Sequence, residues 1–315
     1  MTTSASYALP TDELYTQVAA GNGFSLGLRE DGTIKASGAS SNPAVANAPT
    51  SAGWVAVAAG YNHALALQSD GALAAWGSND FGQGVVPTDP YEYDLVYIAI
   101  AAGEYFNLAL RSDGTIFAWG DDDYHKTTVP NNSIGRYTAI AAGGHHAVAK
   151  RSDGKMAAWG GEGYCSNYCG PSIPTHYPQQ PSSQTWTHPG QVPTTLVASQ
   201  ILAVGAGHTV SYAILNDSAR TLVAWGCGLG LQGTPVTGKG YYVVGATNGA
   251  SVTGCYGAGI MLTLDAHLVQ WGRLNGTGTA FSDPPNNIPS ALEDTKFVSV
   301  GRGNSNLHGV ALLAP

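Results

Sequence analysis

The sequence predicts an all-β fold: a seven-bladed β-propeller of four-stranded antiparallel blades, its ring closed by the N-terminal strand. Three observations predict it. A twenty-residue phrase recurs, as "AAGNGFSLGLREDGTIKASG" (19–38), "AAGYNHALALQSDGALAAWG" (58–77), "AAGEYFNLALRSDGTIFAWG" (101–120) and "AAGGHHAVAKRSDGKMAAWG" (141–160). The apolar period inside each copy is two. An Asp-Gly pair interrupts each copy at the same place.

Each copy reads as a hairpin. His63, Leu65 and Leu67 share one face of a strand and Ala64 and Ala66 the other, because successive side chains of a strand alternate. A second strand follows "SDG", with Leu73 and Ala75 alternating against Ala74 and Trp76. The turn between them carries Asp31-Gly32, Asp70-Gly71, Asp113-Gly114 or Asp153-Gly154, and glycine there supplies the positive φ of a tight hairpin. One face of the hairpin carries mostly alanine and the other Leu, Phe and Trp, so both need cover. Stacking similar sheets around an axis provides it. Helical periodicity of useful length is absent from the sequence.

Gly21, Gly60, Gly103 and Gly143 follow the "AA" pairs, spaced by about forty residues, a blade-sized period. Three looser copies follow. Residues 201–226 keep Trp225 and, with Gly205 as the repeat glycine, place His208 at the position of His63 and His146. Residues 252–272 keep Trp271 without the Asp-Gly, and residues 297–313 stop after their inner hairpin strand. Seven units result. Trp76, Trp119, Trp159, Trp225 and Trp271 are expected to be one buried position, with Ser37 a truncation of it. The seventh unit lacks its last strand while "SASYALP" (4–10) has no unit of its own. Pairing that segment into the last blade closes the ring and removes an exposed edge. The chain thus reads as one domain, 1–315, with an insertion at about 161–195.

Composition narrows the function. Glycine numbers 42 of 315 residues and marks turns, since 43% of residues remain hydrophobic. Charged residues make up 11%, against roughly 25% in ordinary soluble domains. An uncharged polar surface suits secreted, cell-surface or virion-exposed proteins, and extracellular or virion-surface display is expected over a cytoplasmic role. The net charge of −8 and pI near 5.5 argue against nucleic acid and anionic membranes, which need a basic patch. No apolar run is long enough for a transmembrane helix. The N-terminal residues lack the basic and apolar regions of a signal peptide, so the protein is expected to stay inside the cell or to leave by another route, such as assembly into a virus particle.

The pattern V-x-x-G-x-x-H-x-x-A-L, then D-G-x-x-x-x-W-G-x-N, then G-Q, resembles the repeat of the regulator of chromosome condensation family. Residues 57–84 ("VAAGYNHALALQSDGALAAWGSNDFGQG") carry nearly all of it, and the resemblance is strong over 18–160 and weaker over 197–313. It implies a propeller that binds proteins by loops at one end. Members of the family include a guanine-nucleotide exchange factor, ubiquitin-ligase modules and a β-lactamase inhibitor. No residue here matches an exchange wedge, so none is carried across.

The repeat itself offers little chemistry. Phe24 and Phe106 stand where His63 and His146 do, and a ligand or catalyst is not interchangeable with phenylalanine, so the histidines read as structural. His145 and His146 point to opposite faces of a strand. "GCGLGLQG" (226–233) is a turn without the lysine of a phosphate loop. No catalytic residue, metal site or cofactor is assigned, and no enzymatic activity is expected.

Two departures from the repeat remain. The insertion holds Tyr164, Tyr168, Tyr177 and Trp186 among prolines that stiffen it, and interfaces favour exposed Tyr and Trp. Its Cys165 and Cys169 suit a local disulfide in an oxidising compartment or free thiols otherwise; zinc with His176 and His188 fits no standard spacing. The loops after Trp-Gly carry Asp80, then Asp121, Asp122 and Asp123, then Glu162, an acidic arc along one end. It suits a basic partner or a cation, or is an ordinary solvated rim. The leading reading is a binding propeller that docks a protein partner through these residues. The alternatives are a structural or decoration subunit of a virion or other large assembly, and a carbohydrate-binding or enzymatic propeller with an axial pocket.

Overall fold

The structure is a computed structural model that describes residues 8–10, 12–88, 96–130, 136–161, 190–193, 196–197, 199–207, 210–218, 220–226, 235–236, 241–248, 257–263, 268–272, 297–301 and 310–313. It is all-β. The first sheet holds β1 (Tyr15–Gly21), β2 (Phe24–Arg29) and β3 (Ile34–Gly38), and the second β4 (Trp54–Ala59), β5 (His63–Gln68) and β6 (Leu73–Gly77). The third holds β7 (Tyr97–Ala102), β8 (Phe106–Arg111) and β9 (Ile116–Gly120), and the fourth β10 (Tyr137–Ala142), β11 (His146–Arg151) and β12 (Met156–Gly160). A fifth holds β13 (Ile201–Ala206), β14 (Val210–Leu215), β15 (Leu222–Gly226) and β16 (Pro235–Val236). A sixth holds β17 (Tyr241–Asn248), β18 (Gly257–Thr263) and β19 (Leu268–Gly272), and the last β20 (Phe297–Gly301) and β21 (Val310–Leu313). Every sheet is an antiparallel meander. Beyond the strands, only a four-residue helix (Pro43–Ala46) and a 3-10 turn (Asp123–His125) occur among the described residues.

The Asp-Gly turn forms as expected and repeats almost unchanged. In the first sheet Gly32 N donates to Arg29 O at 3.0 Å, Gly32 takes a φ of 78°, and Asp31 Oδ1 accepts from Thr33 N at 2.9 Å. That is a three-residue loop with glycine in the left-handed position. Asp70, Asp113 and Asp153 bond the backbone two residues on in the same way. A second repeated device escaped the sequence reading. The first strand of all seven sheets carries an irregularity after its first residue, which is Tyr15, Trp54, Tyr97, Tyr137, Ile201, Tyr241 or Phe297.

The core is layered. Phe24, Leu26 and Leu28 of the first sheet meet Ala64, Ala66 and Trp76 of the second. Leu65 and Leu67 of the second meet Ala109 and Trp119 of the third, and Phe106, Leu108 and Leu110 meet Ala147, Ala149 and Trp159 of the fourth. The expected face of the tryptophan is therefore corrected: register sets Trp76 opposite Ala64 and Trp119 opposite Asn107, on the small-residue face. The indole needs the room that alanine leaves, and the leucines of the preceding sheet fill against it. Trp76, Trp119, Trp159 and Trp225 are all buried. Ser37 holds the same register position opposite Ser25, and Trp271 does so opposite Gly259.

Two further expectations change. Among the described residues only the sheet of β13–β16 has four strands. After Trp76 the chain turns its backbone donors to side chains instead of a neighbouring strand: Gly84 N donates to Asn79 Oδ1 and Phe81 N to Gln83 Oε1. Pro87 then removes a donor. The fifth unit is also shifted by two residues. Val210 pairs with Gly226 as His63 pairs with Gly77, so Val210 takes the histidine position and Gly207, not Gly205, is the repeat glycine. His208 lies outside the described residues.

Consecutive sheets are tied at one end by a run of backbone bonds between their first turns. Asn22 N donates to Tyr61 O, Tyr61 N to Glu104 O, Glu104 N to Gly144 O and Gly144 N to Gly207 O, at 2.8–3.3 Å. β1 in turn lies beside β20 and β21 of the last sheet. Of "SASYALP", residues 4–7 fall outside the described residues. Residues 8–10 carry no strand, and Ala8 O accepts from Ser37 Oγ of β3 at 2.7 Å.

Candidate functional site

The turn between the first two strands lies at the end where Trp-Gly leads into a loop, and the described loops after β6 and β9 are built from short polar side chains. In the loop after β6, Asp80 Oδ2 accepts from Ser78 Oγ at 2.8 Å and the Gln83 side chain is buried. In the loop after β9, Asp121 forms an ion pair with Lys126, whose side chain is fully buried, and accepts from Asp123 N at 3.0 Å. Asp122 accepts from Thr127 N at 2.9 Å and from the Thr127 hydroxyl. Burial raises the Asp122 pKa, but these Thr127 bonds and one from Thr128 outweigh it and hold the carboxyl below its usual range. The arc carboxylates thus fold their own loops. Tyr124 and His125 sit in the left-handed region at φ 64° and 58°, an unfavourable backbone for both.

Two of the loops are anchored to the next sheet by its repeat tryptophan. Trp76 Nε1 donates to Ala44 O at 2.8 Å and Trp159 Nε1 to Lys126 O at 3.0 Å. Each loop then ends on a small apolar residue followed by proline: Ala48-Pro49, Val86-Pro87, Val129-Pro130 and Val192-Pro193. Ala48, Val86, Val129 and Val192 lie against the four layered cores. This dipeptide is visible in the sequence and reveals what the insertion is. The segment 161–193 thus begins after the repeat Trp-Gly and ends on the same dipeptide as the loops 78–87 and 121–130. They depart at Gly161 and return at Gly190, where a Cβ would stand 1.8 Å from Gly160 O. Glu162, Tyr164, Cys165, Tyr168, Cys169, His176, Tyr177, Trp186 and His188 lie outside the described residues. Asp80, Asp121, Asp122 and Asp123 are described, and Asp80, Asp122 and Asp123 are exposed.

His63 and His146 are core, as interchange with phenylalanine implied. The ring of residue 63 or 146, like that of Phe24 or Phe106, fills the space a Cβ would take on the repeat glycine three residues earlier. His63 Nε2 lies 2.8 Å from Asn107 Oδ1, and Asn107 Nδ2 donates to Gln83 O. The Asn107 oxygen accepts, so His63 Nε2 carries the proton. Burial pushes the His63 pKa down to about 4, against the smaller opposing effect of Asn107. An unfolded histidine binds its proton near 6.5, so the unfolded chain holds more protons as pH falls from there to about 4. Stability present above pH 6.5 is therefore lost across that window, by up to about 3 kcal/mol from this residue. His63→Phe should fold, cost about 1–3 kcal/mol at neutral pH by stranding Asn107 Oδ1, and lose part of the acid slope. Denaturant titrations at pH 7, 5.5 and 4 read this, and an unchanged slope would assign it to other groups.

Aromatic side chains gather at the same end. Tyr61 and Tyr105 have ring centroids 5.5 Å apart, and Phe81 lies 5.2 Å from Tyr105. Burial, then the Glu104 charge, keeps the Tyr105 phenol protonated well above its usual range. His145 Nε2 meets Glu104 Oε2 at 3.0 Å, and Tyr124 stands edge-on to the His145 ring. Among the described residues Lys126 is the only Lys or Arg at this end. The others stand on the Asp-Gly turns or within a few residues of that opposite end, where Arg29 pairs with Glu13 and Arg151 with Asp153. No group of three or more His, Cys, Asp or Glu among the described residues is placed to hold a metal ion. No described helix is long and apolar enough to cross a membrane.

Layered three-stranded meanders with loops gathered at one end define a propeller-like, all-β repeat protein. Two of its repeats match a known family: the one described as "Regulator of chromosome condensation (RCC1) repeat" matches residues 54–83 and 97–126. No curated protein matches the sequence significantly. Among solved structures, human WBSCR16 is similar with a TM-score of 0.69 at 18% identity, over 98% of this chain and 89% of that one. The CRINKLY WD40 ectodomain of the Arabidopsis thaliana receptor kinase ACR4 gives 0.65 at 17%, over 95% and 90%. Prp20p from Saccharomyces cerevisiae gives 0.63 at 17%, over 95% and 82%. Identities this low carry the fold alone.

Proposed function

We propose that this chain is a single-domain, non-enzymatic docking propeller, 1–315, that engages a protein partner through the loops at its Trp-Gly end. Its seven sheets form a ring in which β1 closes against β20 and β21. The observation that carries the reading is the equivalence of loop ends: the insertion between Gly160 and Val192 starts after the repeat Trp-Gly and returns on Val-Pro, as do the loops that hold Asp80 and Asp121. Aromatic insertion, acidic arc and the Tyr61–Tyr105 rings therefore belong to one surface. Everything else in the repeat is accounted for by folding. Protein binding by similar structures lends support, since Prp20 is known with Kap60 bound and for binding Gsp1p and histones. Display outside a cell or on a virus particle is the location that fits the low charge content, and two similar structures are receptor ectodomains.

The test is to replace residues 164–188 by a short Gly-Ser linker, keeping Gly190 because its backbone sits on Gly160. The excursion leaves and returns at one point, so melting should be unchanged within about 1 kcal/mol. Affinity capture from the native host should lose its stoichiometric protein partner. Full retention of that partner by the variant would move docking elsewhere.

A further inference from the structure

The loop end also carries the chemistry its partner must bring, on the reading that it docks a protein. Phe81, Tyr105 and Tyr61 form a row of tilted rings, with interplanar angles of 49° and 50°. Phe81 is 50% exposed and belongs to none of the layered cores, yet its backbone is fixed by the buried Gln83. Val85, four residues on, is 57% exposed. A bulky ring held rigidly in water without a core role is a contact surface.

Among the described residues the exposed charges around that row are carboxylates, while Glu104 is paired with His145. Asp80 precedes Phe81 and stands exposed, Glu104 precedes Tyr105, and Asp123 stands exposed in the neighbouring loop. Among the described residues the one Lys or Arg at this end, Lys126, is buried and already paired with Asp121. An apolar partner would desolvate these carboxylates without compensating them. A guanidinium meets both demands at once, because its plane stacks on an aromatic face while its N–H groups pair with a carboxylate. Ammonium, more strongly hydrated, gives up more on leaving water.

We infer that the Phe81–Tyr105–Tyr61 row receives an arginine-bearing segment of the protein partner, with the guanidinium on the Phe81 face and Asp80 as its counter-ion. The probe is the peptide Gly-Arg-Gly-Arg-Gly, titrated into the full chain and followed by aromatic ring NMR signals. Saturable shifts of Phe81 and Tyr105 are expected, weakening with added salt. The citrulline analogue should bind about tenfold more weakly, and Phe81→Ala and Asp80→Asn should each weaken the arginine peptide by about tenfold. Phe81→Leu keeps apolar bulk without the ring face and should weaken it as well, which separates lost stacking from a disturbed loop. No saturable shift, equal binding of the citrulline analogue, or response to cellopentaose alone would each overturn the inference, the last by assigning the row to a glycan. Loss of the partner on replacing 164–188, with capture unchanged in Phe81→Ala, would overturn it and leave docking standing.

Discussion

Trp159→Ala is expected to cost about 3–5 kcal/mol of stability and to loosen a loop that the substitution does not touch in sequence. The first effect is area and cavity. The indole is 6% exposed and fills the room over Ala147 and Ala149 against Phe106, Leu108 and Leu110 of the preceding sheet. Tyr137 lies 6.3 Å away on the same layer. The second effect is the stranded carbonyl. Trp159 Nε1 donates to Lys126 O, and Lys126 is the buried residue that neutralises Asp121. Without that bond the loop over 121–130 keeps its internal turns but loses its tie to the next sheet. Denaturant unfolding reads the first effect, and amide hydrogen exchange across 121–130 the second. Trp119→Ala is the control: it removes similar area, but its Nε1 has no hydrogen-bond partner among the described residues. It should destabilise without selectively freeing the loop at 78–87. A cost below about 1 kcal/mol for Trp159→Ala would mean that the tryptophan face does not form the inter-sheet layer.

The repeat unit was legible because every blade solves one problem with the same residues. Asp70-Gly71, the alternation of His63 through Leu67 and the lone Trp76 state a hairpin, its period and its cover in twenty residues. What resisted reading is set by register, which composition does not carry. The tryptophan lands on the alanine face because Ala64 opposes Trp76 in the ladder, a pairing that depends on the length of the Asp-Gly loop. The fifth unit slipped for a related reason: "AVGAGH" offers two glycines at the repeat position, and only the pairing of Val210 with Gly226 selects Gly207. In the second sheet no fourth strand appears among the described residues, where Asn79 and Gln83 take up backbone donors of their loop, a use of side chains that looks like ordinary polarity in sequence. At the candidate site, the acidic residues after Trp-Gly were visible as spacing, whereas the burial of Lys126 and its pairing with Asp121 were not. The aromatic row was hidden too, since Tyr61, Phe81 and Tyr105 come from three loops that only stacking brings together. The Val-Pro dipeptide was the available signal for the insertion: aligned on Val86-Pro87 and Val192-Pro193, the extra residues fall inside one loop.

Gly60→Ala should be nearly as damaging as loss of a tryptophan, at about 3 kcal/mol, although it adds a single methyl group. The new Cβ would stand 2.0 Å from His63 Cε1 and 2.5 Å from its Nδ1, on one side, and 2.7 Å from Gly103 O on the other. Neither neighbour has room to move. The histidine ring is fully buried and held by Asn107 of the next sheet, while Gly103 belongs to the turn whose backbone bonds tie the third sheet to the second and fourth. Relief therefore has to come from separating two sheets, which opens the layer that Leu65, Leu67 and Trp119 share. The same geometry recurs at Gly21, Gly103 and Gly143 against Phe24, Phe106 and His146, so the repeat glycine is a spacing requirement and not a turn requirement. A double-mutant cycle separates the two clashes. His63→Ala removes the ring and should make Gly60→Ala less costly in its background, by about 1 kcal/mol or more. It leaves the Gly103 carbonyl in place, so rescue should be partial. Complete rescue would show that the ring alone excludes a side chain there, and no coupling at all would show that the sheets are spaced by something other than this glycine and the carbonyl facing it.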